Sequence, residues 1–243
     1  MGLTAALVAV FALNLWGTAG QVPLPEYTVM RIRTPIRVDG RLSEPAWKRT
    51  PRLSPFLMWD GTDAPDITVC RMLWDNRCLY VAFECRDKEI TAKFRRRDEP
   101  LYSSDDVVEV FLDAAGDLKH YAEVIINPKG VLFDAYQVTN EAGDAPSISL
   151  LDWDMKACKA AARADRKAGM WTVELAVPFS SFPWQISPPK EGSVWRAAVT
   201  RYDRPDPKNG ELQHYAWSPP YRRGWPHVVG RFGKLVFSGK TVD

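Results

Sequence analysis

Histidine is nearly absent from this chain: only His120, His214 and His227 occur among 243 residues. They are scattered, which leaves little material for an imidazole-centred hydrolase or a zinc site with regular Cys-His spacing. No G-x-S-x-G elbow, G-x-G-x-x-G turn or G-x-x-x-x-G-K-[ST] loop is present. A serine nucleophile and a nucleotide cofactor are therefore both unprovided for. An excess of either charge is also missing, with 32 Lys and Arg against 30 Asp and Glu, a formal +2. A dedicated nucleic-acid binder would show a concentrated basic field instead. After residue 20 no apolar run is long enough to predict a membrane-crossing helix.

What the chain has in quantity is tryptophan, ten residues, together with 19 Pro and 15 Gly. The first twenty residues read separately from the rest. Leu3 to Trp16 is uncharged and mostly apolar and runs into Gly17-Thr18-Ala19-Gly20, the pattern of a removable signal peptide. It predicts export to the periplasm or the outside. Cys70, Cys78, Cys85 and Cys158 contain no C-x-x-C pair. In an exported chain they permit disulfides in three connectivities, or free thiols, and the sequence selects none.

Residues 21–35, with Pro23, Pro25 and Pro35, predict an extended leader. Residues 36–243 then alternate short apolar runs with turn clusters. Ile67 to Trp74 and Cys78 to Cys85 predict a hairpin about Asp75-Asn76-Arg77. A second hairpin joins Val107–Leu112 to Tyr121–Ile126, and further strands are expected at 131–138, 155–162, 171–177, 194–202 and 234–237. The stretches 144–154 and 188–192 read as loops. Sustained helical periodicity is missing, so the expectation is one all-β domain: a two-sheet antiparallel β-sandwich with jelly-roll or immunoglobulin-like layering and little helix.

Alternation puts Val108, Val110 and Leu112 on one face of their strand and Val107, Glu109 and Phe111 on the other. If the turn pairs Phe111 with Tyr121, Glu109 stands directly opposite Glu123. Two like charges in that position need compensation from an Arg, a cation or the hydroxyls of a ligand. Trp225 lies in Tyr221-Arg222-Arg223-Gly224-Trp225-Pro226, a loop and not an apolar run, and Tyr102 precedes a strand. Both could stack on the C–H face of a sugar. Arg222 is a loop charge beside the indole. Trp47, Trp74, Trp171 and Trp195 sit in apolar patterns and are expected in the core; Trp59, Trp153 and Trp184 are not assigned.

Several segments resemble, in order, the family 9 carbohydrate-binding modules. Val38-Asp39-Gly40-Arg41-Leu42-Ser43-Glu44-Pro45-Ala46-Trp47 matches the family's I-D-G-x-L-x-E-x-x-W opening, and Leu73-Trp74-Asp75-Asn76-Arg77-Cys78-Leu79-Tyr80-Val81 its L-W-D-x-x-x-L-Y-V hairpin. Asp106 to Asp113, Asn127-Pro128-Lys129-Gly130, Trp171 to Pro178, Trp217-Ser218-Pro219 and Phe232-Gly233-Lys234-Leu235 follow. The resemblance spans residues 36–237 and implies a secreted, non-catalytic β-sandwich. Such a domain recognises a polysaccharide or oligosaccharide, accompanies glycoside hydrolases in polysaccharide catabolism, and often carries structural calcium, for which no ligand set is readable. It implies sugar contacts at Trp225, Glu109 and the place of Tyr102, none of them catalytic; the residues themselves add Glu123, from the alternation of its strand, and Arg222, beside the indole, as candidates. Two departures stand out: Tyr102 occupies the place of a second family tryptophan, and Ile125 that of a sugar-binding arginine. Three rival readings are a glycosidase using Glu109 with Glu123 or an Asp of the Asp105-Asp106 pair, a haem-binding sandwich with Met and Lys or His as axial ligands, and an outer-surface structural module whose sugar site has decayed, which the changes at Tyr102 and Ile125 motivate.

Overall fold

A computed structural model describes residues 22–182, 188–209 and 211–243. The expected signal peptide and Trp184 lie outside the described residues. Thirteen strands dominate the described residues. They are β1 (Glu26–Arg31), β2 (Leu57–Met58), β3 (Thr68–Trp74), β4 (Cys78–Arg86), β5 (Val107–Asp113), β6 (His120–Ile126), β7 (Leu132–Thr139), β8 (Pro146–Leu150), β9 (Lys159–Asp165), β10 (Met170–Pro178), β11 (Val194–Asp203), β12 (Gln213–Ala216) and β13 (Gly233–Thr241). The one α-helix among the described residues, α1, covers Pro45–Arg49.

The strands form one hydrogen-bonded path, β8-β7-β6-β5-β11-β13-β1-β3-β4-β10-β9, with β12 beside β11 and β2 beside β12. Its two halves fold over each other. Val108, Val110, Leu112 and Val124 from one half share a single apolar core with Leu79, Val81, Phe83, Trp171 and Val173 from the other. The layered all-β architecture is thus as expected, with one correction to the antiparallel reading: β1 pairs in parallel with both β13 and β3. This strand lies inside the extended stretch 21–35 and stitches the halves together.

Other expected elements need adjustment. The Asp75 turn forms as read: Asp75 Oδ1 accepts the Arg77 and Cys78 N–H groups at 2.7 Å, and Oδ2 accepts the Tyr80 hydroxyl at 2.9 Å. The strand expected at 155–162 instead runs over Lys159–Asp165, while Met155 is buried in the core. Part of the expected loop 144–154 is the exposed edge strand β8. Trp47, Trp74, Trp171 and Trp195 are buried as anticipated. All four cysteines are free; Cys70 and Cys85 are buried, and Cys78 and Cys158 are half-buried.

The opening motif is explained by one carboxylate. Glu174 of β10 is fully buried on the outward face of its sheet. Its Oε2 accepts the Asp39 and Gly40 N–H groups, each at 2.8 Å, and its Oε1 accepts the Trp47 indole N–H at 3.0 Å. Gly40 adopts φ +76, and an added Cβ there would meet the Ala162 backbone carbonyl carbon at 3.0 Å. No other residue type meets both conditions without strain. Trp47→Phe keeps a large ring but removes the donor from a buried carboxylate, so we expect about 1–3 kcal/mol of lost stability. A lowered urea midpoint with unchanged slope would register it; an unchanged midpoint would refute the role assigned to this bond.

Candidate functional site

The outward face of the β5–β6–β7–β11 half carries a second set of side chains. Strand alternation directs Glu109 from β5, Glu123 from β6, Gln137 from β7, and Thr200 and Tyr202 from β11 to that face. Glu109 and Glu123 do not stand directly opposite each other as expected. Phe111 pairs with Glu123 and Glu109 with Ile125, a register two residues away. The cause is the turn. Asp113 Oδ1 accepts the Gly116 N–H at 2.7 Å and Oδ2 the Leu118 N–H at 2.8 Å, so the connection is wide and the strands close at Leu112–Ala122. A shift of two preserves the face, so the glutamates remain diagonal neighbours.

Both carboxyl groups are buried, and among the described residues each holds one protein donor. Thr200 Oγ1 donates to Glu109 Oε2 at 2.5 Å, and Gln137 Nε2 donates to Glu123 Oε2 at 2.6 Å. Ser149 Oγ donates in turn to Gln137 Oε1 at 2.6 Å, which fixes the amide with its NH₂ toward Glu123. Burial pushes Glu109 up to about 8, with Glu123 adding to it, and pushes Glu123 up to about 7. Near neutral pH the pair therefore retains protons and can both donate and accept hydrogen bonds.

Above this floor lies a cavity of about 590 Å³ whose lining includes Tyr102, Glu109, Glu123, Gln137, Tyr202 and Trp225. Four of the five sequence-read candidates thus converge on one concavity. Trp225 is half-buried, and its indole N–H donates to the Asp144 carbonyl at 2.9 Å. Tyr102 is 43% exposed and meets Phe133 edge-on at 5.7 Å. Arg222 is the exception, since it is not among the lining residues. Its guanidinium lies 5.8 Å from the Trp225 ring centroid and donates to the Asp144 carbonyl at 2.9 Å, so it acts on the indole rather than on the cavity.

Several lining residues went unread in the sequence. Gln137 could have been found by extending the alternation of β7 outward from Phe133 and Ala135. Arg204 carries no such signal: it lies just past β11, where its Nη2 donates to the Tyr102 carbonyl at 2.7 Å and its Nε to the Asp105 carbonyl at 3.1 Å. His227, also at the rim, bonds the Tyr121 hydroxyl at 2.9 Å through Nδ1. Ile125, standing where the resemblance has an arginine, packs with Leu101, Phe133 and Tyr202 instead.

The geometry bears on the rival readings. Glu109 and Glu123 belong to one floor, whereas glycoside hydrolysis needs two carboxyl groups placed across the scissile bond. Among the described residues the cavity's lining holds His227, one of the two kinds of axial ligand the haem reading requires, but no Met or Lys.

Two acidic clusters could hold a cation. In the first, Asp98, Asp134 and Asp154 are already served by Arg97, whose Nη2 lies 2.7 and 2.8 Å from the Asp134 oxygens and whose Nε lies 3.1 Å from Asp154. In the second, Asp87, Asp106 and Asp203 are all buried, with carboxylate oxygens within 4.8 Å of one another. One guanidinium, Arg201, approaches Asp87 and Asp203 at 3.3 Å, and Asp203 Oδ1 lacks a hydrogen-bond donor. Three carboxylates against one guanidinium leave a deficit of positive charge, and the all-oxygen donor set fits a hard divalent ion.

The comparisons with known proteins bear on family and fold. The profile of the carbohydrate family 9 binding domain-like family matches residues 38–240. A search among curated proteins finds no match. Among solved structures, a Bacteroides uniformis protein described as carbohydrate-binding superposes with TM-score 0.71 at 16% identity, covering 88% of this chain and 100% of its own. A family 9 carbohydrate binding module from Caldicellulosiruptor kristjanssonii in complex with cellotriose gives TM-score 0.64 at 13% identity, covering 89% and 95%. The same organism's module in complex with glucose gives 0.63 at 14%, covering 90% and 98%.

The raised carboxyls have a stability signature. The folded chain holds protons on Glu109 and Glu123 that the unfolded chain releases above the ordinary value of 4.5. Their contribution is complete below that value and is lost as pH rises through about 7 to 8. Burial lowers His214 to about 3 and His227 to about 4, so these groups act in the opposite sense, costing stability as pH falls below 6.5. Glu109→Gln removes one acid from this balance. Urea midpoints should show the variant near parity with the parent at pH 5 and more stable at pH 8.5 by on the order of 2 kcal/mol. An offset that does not change with pH would refute the assignment.

Proposed function

The chain belongs to the carbohydrate family 9 binding domain-like family, and from that premise we propose that the cavity between Tyr102 and Trp225 binds saccharide without chemistry of its own. One observation carries the reading: Tyr102, Glu109, Glu123 and Trp225, drawn from four separate stretches of chain, line a single concavity. A sugar ring presents an apolar C–H face and a rim of hydroxyls. Trp225 and Tyr102 supply aromatic surface for the face. Glu109, Glu123 and Gln137 supply acceptors and donors for the rim, held by Thr200 and Ser149. Buried polar groups of this kind favour a ligand that completes their hydrogen bonds. Arg222 and Arg204 are positioning residues, the first for the indole and the second for the turn that carries Tyr102.

Solved family 9 modules that bind cellotriose and glucose make β-glucan oligosaccharides the first ligands to try. Titration calorimetry with cellotriose should give a binding isotherm that Trp225→Ala weakens at least about tenfold, the scale of one lost aromatic platform. The circular dichroism spectrum should stay unchanged. Binding that survives in Trp225→Ala would overturn the site, and a panel of neutral oligosaccharides with no isotherm at all would overturn the function.

Two further readings belong to the proposal. Export fits the uncharged apolar run at Leu3–Trp16, and among the described residues no helix is long and apolar enough to cross a membrane. Calcium, which would supply positive charge to a buried acidic site, fits Asp87, Asp106 and Asp203. Addition of about 5 mM calcium to chelator-treated protein should raise Tm by roughly 5 °C, and Asp203→Asn should abolish the rise. An equal rise in that variant would move the ion elsewhere.

A further inference from the structure

Two clefts that share Val38 and Lys159 in their linings flank the start of β9, one on the outward face of β4 and β10 and the other where the β6–β7 turn meets β9. The first, about 680 Å³, is floored by outward-facing residues of β4 and β10, Tyr80 and Ala176 among them, and lined by Arg37, Arg77 and Lys159. The second, about 610 Å³, is lined by Lys159, Arg95, Arg97 and Lys129. Among the described residues neither lining contains an Asp or a Glu. In a chain with 32 basic and 30 acidic residues, that is a strong local separation of charge.

The nearby acids are turned to other work. Asp75 is bonded to the Arg77 and Cys78 N–H groups and the Tyr80 hydroxyl. Glu99 accepts from the Arg95 and Arg96 backbones and the Arg96 side chain. Of the cations, Arg97 is committed to Asp134 and Asp154, and Arg37, whose side chain is 85% exposed, lies 3.6 Å from Asp39. Arg77, Lys159 and Arg95 have no carboxylate partner among the described residues. Lys129 also lacks one; its Nζ donates to the backbone carbonyls of Ala92 and Lys93. The cations come from separate segments: the 33–38 stretch, the β3–β4 turn, the start of β9, the 91–99 loop and the β6–β7 turn. Folding therefore gathers like charges that the sequence holds apart, which is unfavourable unless an anion meets them.

We propose that the paired clefts bind a carboxylated polysaccharide, with successive uronate groups meeting Arg77, Lys159, Arg95 and Lys129. A guanidinium or ammonium beside a carboxylate supplies the charge-assisted hydrogen bonds this requires. Two connected clefts suit a chain better than a single small anion. A nucleic acid would call for exposed rings on which bases stack, whereas Tyr80 and Phe179, the rings lining the first cleft, are buried. The choice of a polysaccharide as the anion rests on the carbohydrate-binding reading, and the cleft itself does not.

Affinity electrophoresis of the full chain at about 20 mM salt, where exposed charges are weakly screened, tests this with polygalacturonate in the gel and a neutral cellulose ether as the parallel gel. The expected result is retardation by polygalacturonate that Arg95→Glu with Lys159→Glu weakens about tenfold. Cellotriose binding stays as in the parent, and Trp225→Ala leaves the polygalacturonate retardation intact. Arg95→Gln with Lys159→Gln should give an intermediate loss and guards against a folding defect in the charge-reversed variant. The proposal is overturned if polygalacturonate does not retard the parent, if the charge-reversed variant is retarded equally, or if a single-stranded oligonucleotide displaces the polymer as readily as free oligogalacturonate does. Loss of cellotriose binding alone would count against the Trp225 cavity and leave the cleft standing.

Discussion

A carboxylate carried on the outward face of a buried strand must find donors, and where this chain provides them separates its scaffold from its site. Glu174 receives three, from the Asp39 and Gly40 backbones and the Trp47 indole. It is a closed knot that ties the chain's opening segment and α1 to β10, and it leaves little for a ligand to offer. Glu109 and Glu123 are buried as deeply, yet each receives a single protein donor. Burying a carboxyl group with so few partners is costly, and proton retention relieves the cost only in part. The outer surface of one half-sandwich is thus satisfied structure, while that of the other keeps hydrogen-bonding capacity for something that arrives.

Floor and rim of the cavity have different mechanical origins. Glu109, Glu123, Gln137 and Thr200 project from paired strands whose spacing the ladders set, and the Ser149–Gln137–Glu123 chain locks the amide among them. The aromatic rim sits on loops, which ordinarily wander, and here each ring is tethered. The Arg204 guanidinium bridges the carbonyls of Tyr102 and Asp105. Trp225 is pinned by its own N–H to the Asp144 carbonyl, the same oxygen that Arg222 holds. A stacking platform contributes most when little motion is lost on binding, so these two arginines matter through the rings whose segments they hold.

Much of this was legible in the residues because strands alternate with period two. That rule placed Glu109 and Glu123 on one face, away from Val108 and Val110, and it holds. Register was not legible: the Asp113 side chain widens the turn by drawing in the Gly116 and Leu118 N–H groups, and a slip of two residues leaves every face assignment unchanged. The parallel seam of β1 could not be read either, since its ladder partner β13 lies some two hundred residues downstream and nothing local marks the pairing. β8 was missed because its Ser-Ile-Ser pattern belongs to an exposed edge and imitates a loop. Trp225 stood out by the contrast between its bulk and its Gly, Pro and Arg neighbours. Arg204 did not, since its function lies in backbone carbonyls, which carry no sequence signature.

Charge is distributed unevenly over the folded surface. Near-equal totals of acid and base suggested a featureless field, but folding sorts them. One face offers a cavity with two buried carboxyl groups, a poor seat for an anion and a good one for neutral hydroxyls. The clefts about the start of β9 gather Arg77, Lys159, Arg95 and Lys129, with no carboxylate in their linings among the described residues. Because interactions between exposed charges fade over about 10 Å at moderate salt, charged surfaces farther apart than that need not compensate each other, and each presents its own chemistry. A net charge near zero therefore says little about what such a domain can hold; the faces to which the strands direct those charges decide it.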